Sequence, residues 1–347
     1  MTTDQIQDIV RRGAFPGVAA PAEFIETHIS WVILTPEFAF KIKKPVQFGF
    51  LDFSTAEKRR FYCLEELRLN RRLAPELYLG VLPLALENGG LAIGAKTRPP
   101  IDYAVHMKRV DNRRQMDRML AAGAVTAVDM ERLAAVLASF HRKEALPPST
   151  LFHPGILWAD FAEIYRFGAD IGRHIGPEAT RSLLEWRSSL PEFLETHSAR
   201  LIARVREGFW VDGHGDLHAR NIFLTKTGPV VFDCIEFNPH FRQADLLNEL
   251  AFLCMDLEAS GRPDLAAAFL ASYCRLRDIF PRQEDQLLFL FFKAYRANVR
   301  LKVALLELRQ RASAAAETQV QQYWNLMTTY LPALTGTTPS GSHLPQI

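Results

Sequence analysis

Residues 214–221 read His-Gly-Asp-Leu-His-Ala-Arg-Asn, and Val230-Val-Phe-Asp-Cys-Ile-Glu236 follows a short turn. In this spacing one carboxylate, Asp216, precedes an amide, Asn221, by five positions, and a second carboxylate, Asp233, ends the next strand. Phosphoryl transfer needs a carboxylate to take the proton of an acceptor hydroxyl, and hard oxygen ligands for Mg²⁺. The stretch therefore predicts Asp216 as a base and Asn221 and Asp233 as metal ligands.

A different reading of the same stretch is a metal site of a hydrolase. His214, Asp216 and His218 alternate, so on a strand they would share one face and bind a metal. The candidates for the remaining ligands are Asp233, Glu236 and His240. This alternative gives Asn221 no role, and Gly215 favours a loop over a strand.

Composition excludes several classes of protein. The 347 residues are 48% hydrophobic and 23% charged, with a formal net charge of +2, so no strong field favours nucleic acid or an anionic membrane. The four cysteines form no C-x-x-C pair, which is typical of reduced thiols. The chain shows no secretory signal and no apolar run of roughly 20 residues. We therefore expect a cytoplasmic protein without a membrane or nucleic-acid partner.

The predicted elements change character along the chain. Strand patterns cover 28–35, 38–44, 81–86 and 101–110, whereas helical patterns dominate after residue 113. The turn Lys226-Thr227-Gly228 predicts a hairpin within the helical part. We predict an α+β fold with a small β-rich N-lobe at 1–112, a larger helical C-lobe at 113–334 and a disordered tail at 335–347.

One helix interrupts the strand-rich part, from about Thr55 to Leu73. Ser54 is the predicted N-cap, with Glu57 three positions later as the second member of a capping box.

The motif H-G-D-x-H-x-x-N at 214–221 resembles the catalytic loop of the aminoglycoside phosphotransferase and choline kinase branch of the protein-kinase-like superfamily. The stretch ETHISWVILTPEFAFKIKKPVQFGFLDFSTAEKRR, from Glu26, more narrowly resembles an uncharacterised bacterial subfamily whose members sometimes carry a separate P-loop kinase domain. Because G-x-x-x-x-G-K-[ST] is absent, the resemblance implies the stand-alone form. It also implies a bilobal fold, ATP and Mg²⁺ as cofactors, and an acceptor alcohol.

The resemblance also implies roles for single residues. Asp216 would be the catalytic base, His214 would brace its loop, and Asn221 and Asp233 would hold Mg²⁺. Asp245 would anchor the loop.

Phe38-Ala-Phe-Lys41 matches the kinase V-A-I-K pattern, so Lys41 would position phosphates, with Lys43 as the second choice because it shares a strand face with Lys41. Glu66, or else Glu65, would pair with this lysine.

Nucleotide contacts are less well marked. The family's glycine-rich loop is missing, and Thr27, His28 and Ser30 stand at the corresponding turn as hydrogen-bond donors to phosphate. Backbone groups from Lys108 to Asp111, including Arg109, would meet the adenine edge, with Met107 as a lining residue.

Three functions remain open at this point. The first is a kinase that acts on a small molecule of unknown identity. The second is a protein kinase or an AMP transferase on the same fold, and the third is a weakly active nucleotide-binding module. The helical segment 151–207, with Trp158, Asp160, Tyr165 and Trp186, is the expected acceptor side. Near-neutral charge disfavours polycationic aminoglycosides as acceptors.

Overall fold

The structure is a computed structural model. It describes residues 1–17, 22–95, 99–148, 152–311 and 313–335. Apart from Thr335, the predicted tail at 335–347 lies outside the described residues, as does Leu151 at the start of the predicted acceptor segment.

The secondary structure mixes short strands with longer helices. The strands are β1 (Glu23–Glu26), β2 (Ser30–Leu34), β3 (Phe38–Lys43), β4 (Gln47–Phe48), β5 (Leu51–Asp52), β6 (Tyr78–Glu87), β7 (Gly90–Ile93), β8 (Asp102–Lys108), β9 (Trp210–Asp212), β10 (Ile222–Thr225), β11 (Gly228–Val231) and β12 (Gln243–Asp245). The helices are α1 (Thr3–Arg12), α2 (Ala56–Asn70), α3 (Met116–Ala121), α4 (Ala127–Lys143), α5 (Gly155–Ala162), α6 (Gly168–His174), α7 (Pro177–Thr196), α8 (Ser198–Arg206), α9 (Leu246–Ala259), α10 (Pro263–Leu276), α11 (Glu284–Gln310), α12 (Ala314–Tyr330) and α13 (Pro332–Thr335).

The described chain divides into two compact units. The first unit consists of Met1–Met119, His214–Asp216 and Arg220–Arg242, and the second contains the remaining described residues. The first unit therefore holds the strand-rich part together with Asp216, Asn221 and Asp233. The α+β class predicted from the sequence is confirmed.

An antiparallel sheet with the strand order β1-β2-β3-β8-β6-β7 forms the centre of the first unit. Side chains along each strand point alternately to the two faces of the sheet. Phe40 and Ile42 therefore pack on the face covered by α1, against Ile6 and Ile9. The opposite face carries Ala39 and packs against α2. Lys41 and Lys43 lie on this second face, because they alternate along β3 with Phe40 and Ile42.

Helix α2 begins one residue later than the sequence predicted. Its N-cap is Thr55, whose hydroxyl accepts a hydrogen bond from the backbone N–H of Lys58. Ser54 was the predicted N-cap, and this prediction is wrong. The Ser54 hydroxyl instead donates to the carboxylate of Asp52, at 2.6 Å. Adjacent Ser and Thr carry the same capping signal, so the local pattern did not separate them.

The hairpin predicted around Lys226 is present as β10 and β11. Thr225 pairs with Gly228 across a two-residue turn, and Gly228 has a φ of 135°. The hairpin belongs to the first unit, although helical sequence surrounds it. Its register places Asn221 and Phe232 next to each other just beyond the last pair.

The second unit is helical and contains one more pair of strands, β9 with β12, which the sequence did not predict. Strands of three residues are too short to show a period of two.

Asp245 caps α9 and binds Arg204 at 2.8 Å and 2.9 Å. The carboxylate that holds a loop backbone here is Asp256, which accepts from the N–H of Ala219. Asp256 therefore has the loop-anchoring contact expected of Asp245. Among the described helices, none combines the length and hydropathy needed to cross a membrane.

Replacing Thr55 by alanine tests the position of the cap. We expect Thr55→Ala to lower the free energy of unfolding by about 1 kcal/mol, because one N–H of the first helical turn loses its acceptor. Ser54→Ala is the matched control and should cost clearly less, since the Ser54 hydroxyl caps no helical N–H. Urea unfolding measures both, and a larger cost for Ser54→Ala would contradict the assignment.

Candidate active site

One face of the sheet collects most of the residues predicted to contact a nucleotide. Along β3 the side chains of Ala39, Lys41 and Lys43 share this face. Ser30 lies directly opposite Lys43 on β2, and Met107 lies opposite Ala39 on β8. Directly opposed residues of antiparallel strands project to the same side. The structure thus brings Ser30, Lys41, Lys43 and Met107 to a single surface.

Lys41 bridges two carboxylates of this surface. Its Nζ atom lies 2.5 Å from Oδ1 of Asp233 and 2.9 Å from Oε1 of Glu66. Glu65, the alternative partner considered from the sequence, pairs with Arg68 on its own helix instead. Helix α2 buries Glu66 completely, so this carboxylate is the one that meets β3.

Lys43 makes a second, deeper set of ion pairs. Its Nζ atom lies 2.6 Å from Oε2 of Glu66 and also contacts the carboxylate of Glu236. The ring of Phe53 lies 4.9 Å from the ammonium group. Each carboxylate oxygen of Glu66 therefore forms an ion pair with one lysine. Both lysines considered from the sequence, Lys41 and Lys43, pair with Glu66.

Burial and charge act in opposite directions on the pKa values of this group. Burial alone would raise the pKa of Glu66, but the charges of Lys41 and Lys43 outweigh it and lower the pKa to about 2. Burial likewise opposes the charge of Lys41, yet Asp233 and Glu66 raise the pKa of Lys41 well above its usual value. For Glu236, burial and the nearby Glu66 raise the pKa despite Lys43.

The stretch that carries Asp216 is a loop, and hydrogen bonds connect it to the end of the hairpin. The ring Nε2 of His214 lies 2.8 Å from the carbonyl oxygen of Phe232, and its Nδ1 accepts from the N–H of Asp216 at 3.3 Å. Asn221 donates through its amide nitrogen to Oδ2 of Asp216 at 3.0 Å. The N–H of Phe232 donates to the carbonyl oxygen of Asn221, also at 3.0 Å. These bonds bring Asp216, Asn221 and the residue before Asp233 together.

This geometry overturns the alternative of a metal site on a strand. Residues 213–218 form no strand, and both ring nitrogens of His214 face the backbone. Across the described residues there is no cluster of three or more His, Cys, Asp or Glu side chains suited to a metal ion. His214 thus contacts backbone groups of Phe232 and Asp216, and its role as a brace of the loop stays a prediction.

Gly215 has a conformation that other residues adopt only with strain. Its φ is +82°, and an added Cβ would lie 2.9 Å from the carbonyl oxygen of Phe241. The loop can therefore make this turn immediately before Asp216 because residue 215 has no side chain.

Asp233 also has a left-handed conformation, with a φ of +65°. Its N–H donates to the hydroxyl of Tyr78, and the next N–H, of Cys234, donates to Oδ1 of Asn70. Asn70 in turn donates to the carbonyl oxygen of Glu66. Tyr78 and Asn70 are not among the residues predicted from the sequence, because a single Tyr or Asn at the end of a helix or strand has no distinguishing pattern.

Arg109 and Ser30, which were both predicted to contact the nucleotide, differ in their hydrogen-bond partners. The guanidinium of Arg109 binds Glu23 and the carbonyl oxygen of Thr35, and its N–H donates to the carbonyl oxygen of Glu37. Ser30 is 1% exposed, and its hydroxyl has no hydrogen-bond partner among the described residues. A buried hydroxyl of this kind calls for a partner that the protein does not supply.

The donor set at the end of the hairpin fits Mg²⁺. The carboxylate of Asp233 and the amide oxygen of Asn221 are the hard oxygen ligands that this ion prefers. The side chain of Asp233 is 42% exposed, and a cationic ammonium group already lies against it. The site therefore suits a positive ion held by oxygen atoms.

Sequence comparisons agree with this chemistry. The model of a family described as "Phosphotransferase enzyme family" matches residues 51–285. Uncharacterised proteins of Mycobacterium tuberculosis and Mycobacterium bovis are each 35% identical over 298 residues, or 85% of this chain. The match covers 57% of those relatives, so the chain spans little more than half their length.

Comparisons of the fold find solved structures that align over nearly the whole chain. An aminoglycoside 2'-phosphotransferase-IIIa in complex with GDP aligns with 94% of this chain and 99% of its own, at a TM-score of 0.54 and 12% identity. A choline kinase of Cryptosporidium parvum aligns with 95% of this chain and 94% of its own, at 0.54 and 15% identity. A choline/ethanolamine kinase family protein of Mesorhizobium loti aligns with 97% of this chain and 100% of its own, at 0.53 and 13% identity. The kinase-like fold predicted from the sequence is confirmed.

Substituting Glu66 tests the buried ion pairs. Because the pKa of Glu66 is lowered in the folded state, its contribution to stability is fully present above pH 4.5 and is lost as the pH falls towards 2. At pH 7 we expect Glu66→Gln to lower the free energy of unfolding by about 3 kcal/mol, since two buried lysines lose their shared partner. The measurement is denaturant unfolding between pH 7 and pH 2.5.

Glu65→Gln is the control for that experiment and should change stability by less than about 0.5 kcal/mol. The difference between the wild type and Glu66→Gln should shrink below pH 4.5. If both variants are equally stable at pH 7, the ion-pair account of Glu66 is wrong.

Gly215→Ala tests the turn before Asp216. Gly208 has a similar φ of +84° but open space around the position of a Cβ, so Gly208→Ala should cost only the backbone strain of about 1–2 kcal/mol. We expect Gly215→Ala to cost at least about 1 kcal/mol more, because its Cβ would collide with the backbone at Phe241. Thermal unfolding compares the two, and equal costs would show that the loop has room for a side chain.

Proposed function

Because the chain belongs to the phosphotransferase enzyme family, we propose that it transfers the γ-phosphate of ATP to a hydroxyl group of a small molecule. The observation that carries this proposal is the meeting of Asp216, Asn221 and the Phe232–Asp233 segment, with Lys41 against Asp233. A base, two oxygen ligands and a phosphate-binding cation are the parts that phosphoryl transfer requires.

Asp216 is the proposed base. Its carboxylate accepts from the amide of Asn221, and its N–H donates to His214, so both ends of the residue are fixed. A carboxylate held in this way takes the proton of the acceptor hydroxyl as that oxygen bonds to the γ-phosphorus. The bond from the γ-phosphorus to the β–γ bridging oxygen breaks at the same time, and ADP is released.

Lys41 is the proposed contact to the phosphates. Its ammonium group lies at the boundary between Glu66, which is fully buried, and Asp233, which is partly exposed. Glu66 can keep Lys41 in place while the ammonium group turns from Asp233 towards a phosphate oxygen. Ser30 shares this face, but it lies opposite Lys43 and is 1% exposed, so its unpaired hydroxyl would donate to phosphate only if nucleotide binding exposed it.

Asp233 and Asn221 would hold Mg²⁺ through a carboxylate and an amide oxygen. A bound Mg²⁺ ion neutralises charge that develops on the phosphates during transfer. The hydrogen bond from Asn221 to Asp216 uses the amide nitrogen, so the amide oxygen is the atom suited to the ion. The residues that hold the ion are thereby connected to the base.

The surface around Ala39 is the proposed place of the adenine. Ala39 and Met107 are small or flexible apolar residues on the face that carries Lys41, and Tyr78 lies opposite Met107 on β6. Arg109 could act only through its carbonyl oxygen, because its N–H and guanidinium have other partners. The structural neighbour solved with GDP makes GTP the alternative donor to be tested beside ATP.

The acceptor is proposed to meet the helical segment 151–207. Within this segment Trp158 and Tyr165 lie 5.9 Å apart, and Asp160 accepts from the hydroxyl of Tyr295. Aromatic and polar side chains of this kind commonly line sites for small molecules. Trp186 instead packs against Trp324 and is nearly buried, so we assign it to the core of the second unit.

Asp216→Asn tests the role of the base. We expect turnover to fall about 10³-fold, because the amide cannot take the proton of the acceptor, whereas the affinity for ADP should stay within about twofold. The assay incubates a metabolite library and a protein panel with γ-labelled and α-labelled ATP and GTP. Asp8→Asn, which alters a partly exposed carboxylate of the same unit that pairs with Arg12 on α1, is the matched control.

The outcomes of this assay separate the possible functions. Transfer of the γ-label to a metabolite supports the proposal, and loss of the transfer in Asp216→Asn assigns the base. Transfer to a protein, or transfer of the α-label, would replace it with protein kinase or AMP transferase activity. Nucleotide binding without transfer would leave a binding module, and full turnover in Asp216→Asn would remove Asp216 from the mechanism.

A further inference from the structure

The proposed reaction gives no role to Lys43 and Glu236, although they form the deepest ion pair of the site. Phosphate contact needs one lysine, and metal binding needs Asp233 and Asn221. Lys43 is nevertheless fully buried at the end of β3, and its ammonium group contacts the carboxylates of both Glu66 and Glu236. Burying a charged pair is costly unless its geometry is good, so this arrangement calls for an explanation.

Lys41–Asp233 and Lys43–Glu236 form two parallel ion pairs between the same two segments. The lysines are two positions apart on β3, and the acids are three positions apart on residues 233–236. Glu66 lies between the pairs and contacts both lysines. An ion pair with β3 thus holds each end of the segment 233–236.

The two ion pairs differ in exposure to solvent. The side chain of Lys41 is 14% exposed and that of Asp233 is 42% exposed. The corresponding values for Lys43 and Glu236 are 1% and 4%. The outer pair is open to a ligand, whereas the inner pair is shielded from one.

The proposed function requires the outer pair to separate. Asp233 has to turn to a metal ion and Lys41 to phosphate, so the contact between them is lost when a nucleotide binds. Asp233 has a left-handed φ, which is unfavourable for a residue other than glycine and must be held by its surroundings. When Lys41 leaves, the inner pair still connects residues 233–236 to β3.

We propose that Lys43 and Glu236 are positioning residues that hold residues 233–236 against β3, so that Asp233 stays placed for the metal ion after Lys41 has moved to the phosphates. This inference rests on the proposed function. Neither residue touches the reacting atoms. Their contribution is to keep the loop in one conformation in the nucleotide-free and nucleotide-bound states.

The test measures how much Mg²⁺ tightens the binding of ADP, by calorimetry with and without the ion. In Glu236→Gln and in Lys43→Met we expect this gain in affinity to fall about tenfold, as for other residues that orient metal ligands. The affinity for ADP without Mg²⁺ should change less than about threefold, because Lys41 is retained. Turnover should fall in parallel with the gain from Mg²⁺.

The two substitutions separate positioning from simple electrostatics. Glu236→Gln removes a negative charge and Lys43→Met removes a positive one, so a purely electrostatic effect on Mg²⁺ would have opposite signs in the two variants. Positioning predicts a weaker gain from Mg²⁺ in both. Opposite changes would overturn the proposal.

Asp102→Asn is the control for stability. Asp102 forms a buried ion pair with Arg59 in the same unit, at 2.8 Å. This variant should be destabilised to a similar extent and keep the gain from Mg²⁺. If Glu236→Gln lowers the melting temperature but also keeps the gain from Mg²⁺, the pair is only structural and the proposal fails.

A double variant tests the proposal in case the single variants fail to fold. Lys43→Met combined with Glu236→Gln leaves the net charge unchanged and no uncompensated charge at these two positions. Its gain from Mg²⁺ should be as weak as in the single variants, and a gain equal to that of the wild type would overturn the proposal. If the wild type itself shows no tightening by Mg²⁺ with ADP or GDP, the proposed function fails and this inference fails with it.

Discussion

The buried carboxylate of Glu66 is the interaction on which the rest of the site depends. Helix α2 brings this group under the sheet, and each of its oxygens takes one lysine of β3. A carboxylate in this position needs those lysines to stay charged, and it shares with Asp233 and Glu236 the compensation of their buried charges. The register of β3 against α2 is therefore fixed by charge as well as by apolar packing.

A second constraint is the backbone path that brings distant parts of the sequence to Glu66. The hairpin β10–β11 reverses the chain so that the N–H of Phe232 donates to the carbonyl oxygen of Asn221. The ring of His214 contacts the carbonyl oxygen of Phe232 as well. Two residues then take a left-handed backbone, Gly215 without a side chain to hinder it and Asp233 held by its neighbours. The consequence is that Asp216, Asp233 and Lys41, the proposed base, metal ligand and phosphate-binding lysine, lie within one compact unit.

Much of this could be predicted from the sequence, because the evidence was local. The spacing from Asp216 to Asn221 and the hairpin turn at Lys226 lie within short stretches, and the alternation along β3 placed Lys41 and Lys43 on one face. What could not be predicted depends on contacts between distant residues. The choice of Glu66 over Glu65 follows from which side of α2 meets the sheet, and the bonds of Tyr78 and Asn70 to residues 233 and 234 join segments more than 150 positions apart. The cap of α2 was misplaced by one residue because Ser54 and Thr55 carry the same signal.

The most direct measurement is a crystal structure of the protein with Mn²⁺ and a non-hydrolysable ATP analogue, with the ion located by its anomalous scattering. The account predicts the ion at about 2.1–2.2 Å from oxygen atoms of Asp233 and Asn221. It also predicts that Lys41 has moved from Asp233 to a phosphate oxygen while Lys43 still contacts Glu236. An ion bound elsewhere, for instance between His214 and His218, or a Lys41 that stays on Asp233 beside a bound nucleotide, would contradict it.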